Sequence, residues 1–203
     1  MKKLDLSLKK QPLQQRSKFL VKAIKEAATH VLKVQGVAQF NTNSVAERAG
    51  VSIGSLYQYF GSKEVLIAEI KRDHFDELRQ FFTDAHRGLE TGTLTELVDA
   101  FVDASVKGHL LDPELHQILS HESLKIDLRE EDHSGISITV KVEQALEGYR
   151  DQLRADLDIS IATKLIYLVV EQTIHETLLN EPDSIHQEKI IRELKRMVLN
   201  YLQ

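Results

Sequence analysis

The stretch AERAGVSIGSLYQYFGSKEVL, Ala46–Leu66, gathers Ser52, Ser55, Tyr57, Gln58, Tyr59 and Lys63 into one short span. Hydroxyls, an amide and an ammonium at helical spacing suit phosphate oxygens and base edges rather than bond-breaking chemistry. Gln58 is the best candidate for reading a base, because a side-chain amide pairs bidentately with adenine. An exposed tyrosine offers a hydroxyl to phosphate and a ring to a sugar or a thymine methyl; a surface tyrosine can equally be a half-buried packing residue, and residue type leaves both open. Nothing points to catalysis: there is no nucleophile elbow, no Gly-rich phosphate loop and no cysteine. His109, His116 and His121, with Glu122 nearby, are spaced by 7 and 5, not by the i, i+4 of a helical zinc pair. No catalytic residue, metal or cofactor is expected.

These side chains need elements to hold them. Leu20, Ala23, Ile24, Ala27, Ala28, Val31 and Leu32 recur at three- and four-residue steps and predict an amphipathic helix over 16–34, ended by Gly36. Thr42 is the expected N-cap of a second helix that buries Val45, Ala46 and Ala49. Gly50 stops it, where a left-handed turn costs glycine least. Ser52 caps a third helix, Ile53–Phe60, and Ser62 a fourth, from Lys63 to about Phe82. Two short helices joined by three or four residues with glycine form a helix-turn-helix, whose second helix enters a major groove.

On that frame Leu56 and Phe60 face the core, while Tyr57 and Tyr59 are expected to lie off it. Gly54 falls in the first turn of the third helix, where a missing side chain lets an outside surface come close. Ser52 and Ser55 sit at the helix N-terminus, where free N–H groups attract phosphate or base acceptors; Ser52 can cap and contact together. Thr42, Asn43 and Ser44 at the N-terminus of the second helix are candidate phosphate clamps. Residues 1–15 read as a flexible basic arm. Its Lys9 and Lys10, with Arg16 and Lys18, are either minor-groove or phosphate contacts or part of a solvated tail.

Charge agrees with this division. Residues 1–63 hold 11 Lys/Arg and 3 Asp/Glu, whereas 64–203 hold 15 and 28, within a total of −5. A basic end joined to an acidic remainder suits one polyanion partner at that end, although a basic tail can also simply aid solubility. The longest strongly apolar run, LIYLVV over Leu165–Val170, is far short of the ~20 residues of a spanning helix. No membrane association and a cytoplasmic location are expected.

The remainder reads as further helices, giving an all-α chain of about nine. The expected domains are 16–62 for the helix-turn-helix and 63–203 for the rest, with 63–82 as connecting helix. Helices are predicted over Leu94–Leu111, Pro113 to about Leu119, Ile136–Leu153, from an Asp158 cap to about Leu179, and from Ser184 onward; Pro182 marks a break. The 158–179 segment is apolar around most of its circumference and must be covered on several sides. A recognition helix of eight residues reads few base pairs, so useful specificity needs two copies ~34–36 Å apart in a twofold dimer. Ile161, Leu165 and Leu168, with Ile190, Leu194, Met197 and Tyr201, are the candidate interface, or else intramolecular core. Phe101, His121, Tyr149, Tyr167, Glu171 and His175 are candidates for lining a ligand pocket, Glu171 and His175 being four apart on one face; they serve equally as rim or salt-bridge residues.

Thr42–Leu66 resembles the DNA-binding domain of the TetR family of bacterial transcriptional regulators: Thr42 at the cap, VAERAGVS, GSLYQYF, and SKEVL opening the fourth helix. The resemblance covers about 16–75 by motif and the remainder only by helix number, length and order. It implies a three-helix N-terminal DNA-binding domain and a C-terminal helical domain for ligand binding and dimerisation, with the last two helices forming the dimer bundle. It implies Tyr57 and Tyr59 as DNA contacts and Lys63 as a phosphate-binding lysine. Ile53 departs from the polar residue that would read a base; a thymine methyl or a sugar is what it can touch. The expected function is that of a homodimeric regulator, a repressor released from a pseudo-palindromic operator by a small molecule. A regulator gated by a protein partner, or constitutive, is the alternative.

Overall fold

The computed structural model describes residues 5–87, 92–120, 138–181 and 183–203. Among them are nine α-helices and no strand: α1 (Gln15–Gln39), α2 (Thr42–Ala49), α3 (Ile53–Tyr59), α4 (Lys63–Arg87), α5 (Leu94–Leu111), α6 (Pro113–Ser120), α7 (Ile138–Glu147), α8 (Ile159–Asn180) and α9 (Ser184–Leu202). The chain divides into two compact units, the first from Met1–Phe75 and Glu114–Glu130, the second from Asp76–Pro113 and Glu131–Gln203.

Local chemistry sets most boundaries. Gly36 adopts φ 70°, ψ 171° and breaks α1 into a long part and a short continuation. Gly50 is left-handed at φ 67°, and its N–H donates back to the Ala46 and Glu47 carbonyls, closing α2. Thr93 and Glu96 form a reciprocal capping box on α5, and Asp158 caps α8 by accepting from the Ile161 N–H at 3.0 Å. The cap of α2 is Asn41, which accepts from the Ser44 N–H at 2.9 Å, so the expected Thr42 cap is off by one residue. The helix expected over 136–153 ends at Glu147. Gly148 and Tyr149 turn the chain into one 3-10 turn, Arg150–Gln152, and residues 136–137 lie outside the described residues.

The core of the first unit joins Ile24, Ala28, Val31 and Leu32 of α1 to Val45, Leu56, Phe60 and Leu66, with Leu115 and Leu119 of α6. Leu6 belongs to the same core. The Leu6 carbonyl accepts from Arg72, and the Lys9 N–H donates to the Tyr59 carbonyl at 2.9 Å. Residues 6–9 are therefore docked, which corrects the free-arm expectation for them; the cause is an apolar Leu6 and Leu8 that the lysines obscure in the sequence. Truncating a buried leucine strips away its packing and leaves a cavity. Leu6→Ala is expected to lower the urea-unfolding stability by about 2 kcal/mol, and an unchanged midpoint would restore the free arm.

The second core draws on α5, α7, α8 and α9, through Leu94, Val98, Val102, Leu146, Ala162, Val170, Ile174 and Leu202. Lys195 of α9 bridges Asp103 and Asp99 of α5 at 2.7 and 3.7 Å. Among the described residues no helix is long and apolar enough to cross a membrane.

Candidate nucleic-acid interface

The short helix α3 is held from behind and open in front. Leu56, Tyr59 and Phe60 are buried at i, i+3 and i+4, pinning one face to α1 and α2. Ser52, Ile53, Gly54, Tyr57 and Gln58 are exposed on the other, with Ser55 half-buried at its edge. The Ser52 hydroxyl accepts from the Ser55 N–H at 3.1 Å and lies 2.8 Å from the Ser55 hydroxyl, so it caps α3 while staying at the surface.

Tyr57 is 41% exposed and Tyr59 only 6%. The reading of Tyr59 as a second ring off the core is thus corrected. Three residues beyond Leu56 on a 3.6-residue turn, its ring swings onto the packed face. Tyr57 is the exposed one, and it is oriented: its hydroxyl lies 2.9 Å from the Thr42 hydroxyl at the start of α2. Thr42 is buried, so of the predicted α2 clamps only Asn43 is exposed, with Ser44 half-buried. Lys63 is exposed at the first residue of α4, after Ser62, whose hydroxyl accepts from the Val65 N–H at 3.4 Å. A Cβ at Gly54 would meet nothing nearer than the Ser52 hydroxyl oxygen at 3.8 Å, so no packing within the chain requires the glycine. The surface offers hydroxyls, an amide, a helix N-terminus and a lysine, and no carboxylate sits on α3. It can accept a phosphate backbone and meet a base edge.

In the second unit the predicted ligand residues separate. An apolar cavity of about 50 Å³ is lined by Phe82, Leu97, Phe101, Ile138, Val142 and Ile166 among others. Phe101 is therefore in it, but Tyr149, Tyr167, Glu171 and His175 are not among its lining; Tyr149 is buried in the core nearby. His121 lies outside the described residues. Glu171 faces His109 of α5 across 3.4 Å, a buried ring that sequence spacing did not pair with it. The His109 Nδ1–H donates to the Ser105 carbonyl at 2.8 Å. Burial opposes charge on this ring, but the Glu171 carboxylate and that carbonyl outweigh it and hold the imidazole pKa above its usual value. Burial, then the Glu171 charge, pushes the Tyr167 hydroxyl up to about 12. The His175 ring meets His109 edge-on at 6.1 Å.

Sequence reasoning missed one polar residue that lines the cavity, Lys141. It shares a helical face with Ile138, Val142 and Ala145, and a lysine at that spacing was the available signal.

The predicted dimer residues also divide. Ile161, Leu165 and Leu168 stand out of α8 as an exposed apolar stripe, Leu168 at 61%. On α9 Met197 is 49% exposed and Ile190 half-buried. Leu194, at 4%, faces the unit's own core, and Tyr201 packs on that core under the Arg154 guanidinium, 5.0 Å from its ring centre. Leu194 is corrected from interface to internal packing, because the core-facing stripe of α9 passes through it; Tyr201 is half-buried at the edge of that stripe.

Comparison with known proteins agrees with this architecture. The family model described as Bacterial regulatory proteins, tetR family, matches residues 24–70, and that described as Tetracyclin repressor-like, C-terminal domain, matches 93–202. The fatty acid metabolism regulator protein of Bacillus subtilis (strain 168) is 21% identical over 182 residues, 83% of this chain and 87% of that protein. The solved structure of a fatty acid degradation regulator from Bacillus halodurans has TM-score 0.67 at 19% identity, covering 91% of this chain and 96% of that one. A TetR-family regulator structure from Mesorhizobium loti has TM-score 0.68 at 14% identity, covering 93% and 97%. With both parts of its length matched, the chain belongs to the TetR family of bacterial transcriptional regulators.

Proposed function

We propose that this regulator is a homodimeric repressor which binds a pseudo-palindromic operator through α3 and is released by a small molecule held in its second unit. The observation that carries the DNA contact is the exposed face of α3, on which Ser52, Ile53, Gly54, Tyr57 and Gln58 stand together with Lys63 close by in sequence. Gln58 reads a base edge, Ile53 touches a thymine methyl or a sugar, and Tyr57, Ser55, Asn43 and Lys63 hold phosphates. The Thr42–Tyr57 hydrogen bond presets the tyrosine before DNA arrives, which lowers the ordering cost of the contact. The twofold partner is supported by the apolar stripe Ile161–Leu165–Leu168, which nothing in the chain covers among the described residues.

The apolar cavity supports gating by a ligand over gating by a protein partner. Ligand pockets are usually ~300–1,000 Å³, and this cavity is about 50 Å³. An occupant must therefore part the helices around it, and so prefers a conformation other than this one. The helix α4 contributes residues to both units and is the natural carrier of that change. The names of the two Bacillus relatives suggest fatty acid metabolism as the regulated process.

The test is DNA selected from a random pool, then anisotropy titrations across salt. Gln58→Ala is expected to relax preference at one position of each half-site, at a cost of about 1–3 kcal/mol. Lys63→Ala is expected to weaken all duplexes alike and to reduce the log–log salt slope by ~0.9 for each phosphate it no longer neutralises. Unchanged affinity and slope in both variants would remove α3 and α4 from the interface.

A further inference from the structure

Lys141 is the feature of the cavity that its apolar walls do not explain. It projects from α7 among Ile138, Val142 and Ala145, with Phe82, Phe101 and Ile166 also lining the cavity. Its ammonium donates to the Thr83 hydroxyl oxygen at 2.8 Å. That hydroxyl in turn donates to the Arg79 carbonyl at 3.0 Å, so its lone pair is turned toward the lysine. Thr83 is a neutral partner, and among the described residues no carboxylate pairs with Lys141. A lysine carries three donors and this hydrogen bond uses one. A half-buried cation beside apolar walls, with no counter-ion among the described residues, lacks the compensation that charged groups need there.

From this arrangement we infer that the effector is an amphiphile with a single acidic head, which ion-pairs with Lys141 while its apolar body enters the cavity between α4, α5, α7, α8 and α9. The inference rests on the ligand-gated reading and adds to it the chemical class of the ligand and the residue that selects it. A carboxylate at Lys141 accepts the N–H groups that Thr83 leaves, and charge-assisted bonds of this kind are stronger than neutral ones. Thr83 acts as a positioning residue: it holds the ammonium at the cavity wall rather than letting it extend into water. A neutral head gains no ion pair, and a cationic head meets like charge.

The experiment is calorimetric titration of the full-length protein with octanoate, octan-1-ol and octyltrimethylammonium at pH 7. Octanoate is expected to bind at least about tenfold more tightly than octan-1-ol, the worth of one charge-assisted hydrogen bond, and the cation most weakly. In Lys141→Met the octanoate affinity falls to that of the alcohol, which itself is unchanged; in Lys141→Arg the preference survives. Equal binding of the three probes, an octanoate preference that persists in Lys141→Met, or no binding by any of them would each overturn the inference. The ranking on wild-type protein decides even if Lys141→Met fails to fold. Operator release is read separately. Octanoate that binds through Lys141 without releasing DNA would remove the gating reading and leave only an acid-selective binding site at Lys141. DNA released by a neutral or cationic compound, with octanoate not binding, would do the reverse.

Discussion

Replacing Leu165 and Leu168 together with glutamate is expected to give a folded monomer whose operator affinity is at least about a hundredfold lower than that of the wild-type protein. Both side chains stand out of α8 into solvent, at 46% and 61% exposure. The core side of the same helix is carried by Ala162, Ile166, Val170 and Ile174, which the substitutions leave alone. Surface changes away from packing usually shift stability by no more than ~0.5 kcal/mol, so the helical content of each chain should hold. A twofold interface repeats the same patch on both subunits, so each dimer acquires four buried carboxylates that face one another. The drop in DNA affinity then follows from geometry. One α3 holds only a half-site, and its twin no longer arrives as a tethered second reader. Sedimentation velocity, far-UV circular dichroism and anisotropy read the three effects. A dimer that survives both glutamates would move the interface off this stripe, and a monomer that still binds with wild-type affinity would remove the need for pairing.

What the sequence makes legible divides by the range of the interaction. Gly50, Ser52 and Asp158 act on backbone groups a few residues away, and each ends or begins a helix where its chemistry requires. The start of α5 is legible for the same reason, since Thr93 and Glu96 close their box within one turn. Tyr59 shows the limit of periodicity. Residues at the margin of an apolar face go in or out according to what packs there, and the Lys9 segment that bonds to its carbonyl comes from fifty residues earlier. Leu6 is obscure for the same reason: the core it joins is built from α1 to α4 and α6, and its carbonyl meets Arg72 of α4, not a neighbour in sequence. The second unit is less legible still. Lys141 meets Thr83 across 58 residues, and His109 lies in α5 while Glu171 lies in α8. Helical periodicity reports which face is apolar, but not which polar residue on another helix will meet it. The exposed face of α3 was readable because α2 and α3 are adjacent and short. The apolar cavity was not, because its walls come from five helices.

Gly54→Leu should separate binding from folding more sharply than any other single change in α3. Gly54 lies at the second residue of the helix, exposed, with helical backbone rather than positive φ. A Cβ there has 3.8 Å to its nearest neighbour, the Ser52 hydroxyl oxygen, and thus ordinary van der Waals room. Glycine is about 1 kcal/mol poorer than alanine in a helix interior, so Gly54→Ala should leave the unfolding midpoint unchanged or raise it. Leucine is nearly as good a helix former and extends from an exposed surface that faces nothing among the described residues. If α3 lies along a major groove, that side chain occupies the space between helix and duplex and lifts Tyr57 and Gln58 away from it. Breaking one base-edge pairing costs roughly 1–3 kcal/mol in a half-site, and the dimer suffers it twice, so affinity should fall by about thirtyfold or more. Gly54→Ala should fall between wild type and leucine. The measurement is a pair: thermal unfolding by circular dichroism, and anisotropy on the selected operator at fixed salt. Opposite movement of the two, stability held while affinity collapses, is the signature of a glycine kept for an external surface. Leucine tolerated in both would mean that α3 approaches DNA by another face, and that the hydroxyls of Ser52, Ser55 and Tyr57 have only the local hydrogen bonds seen here.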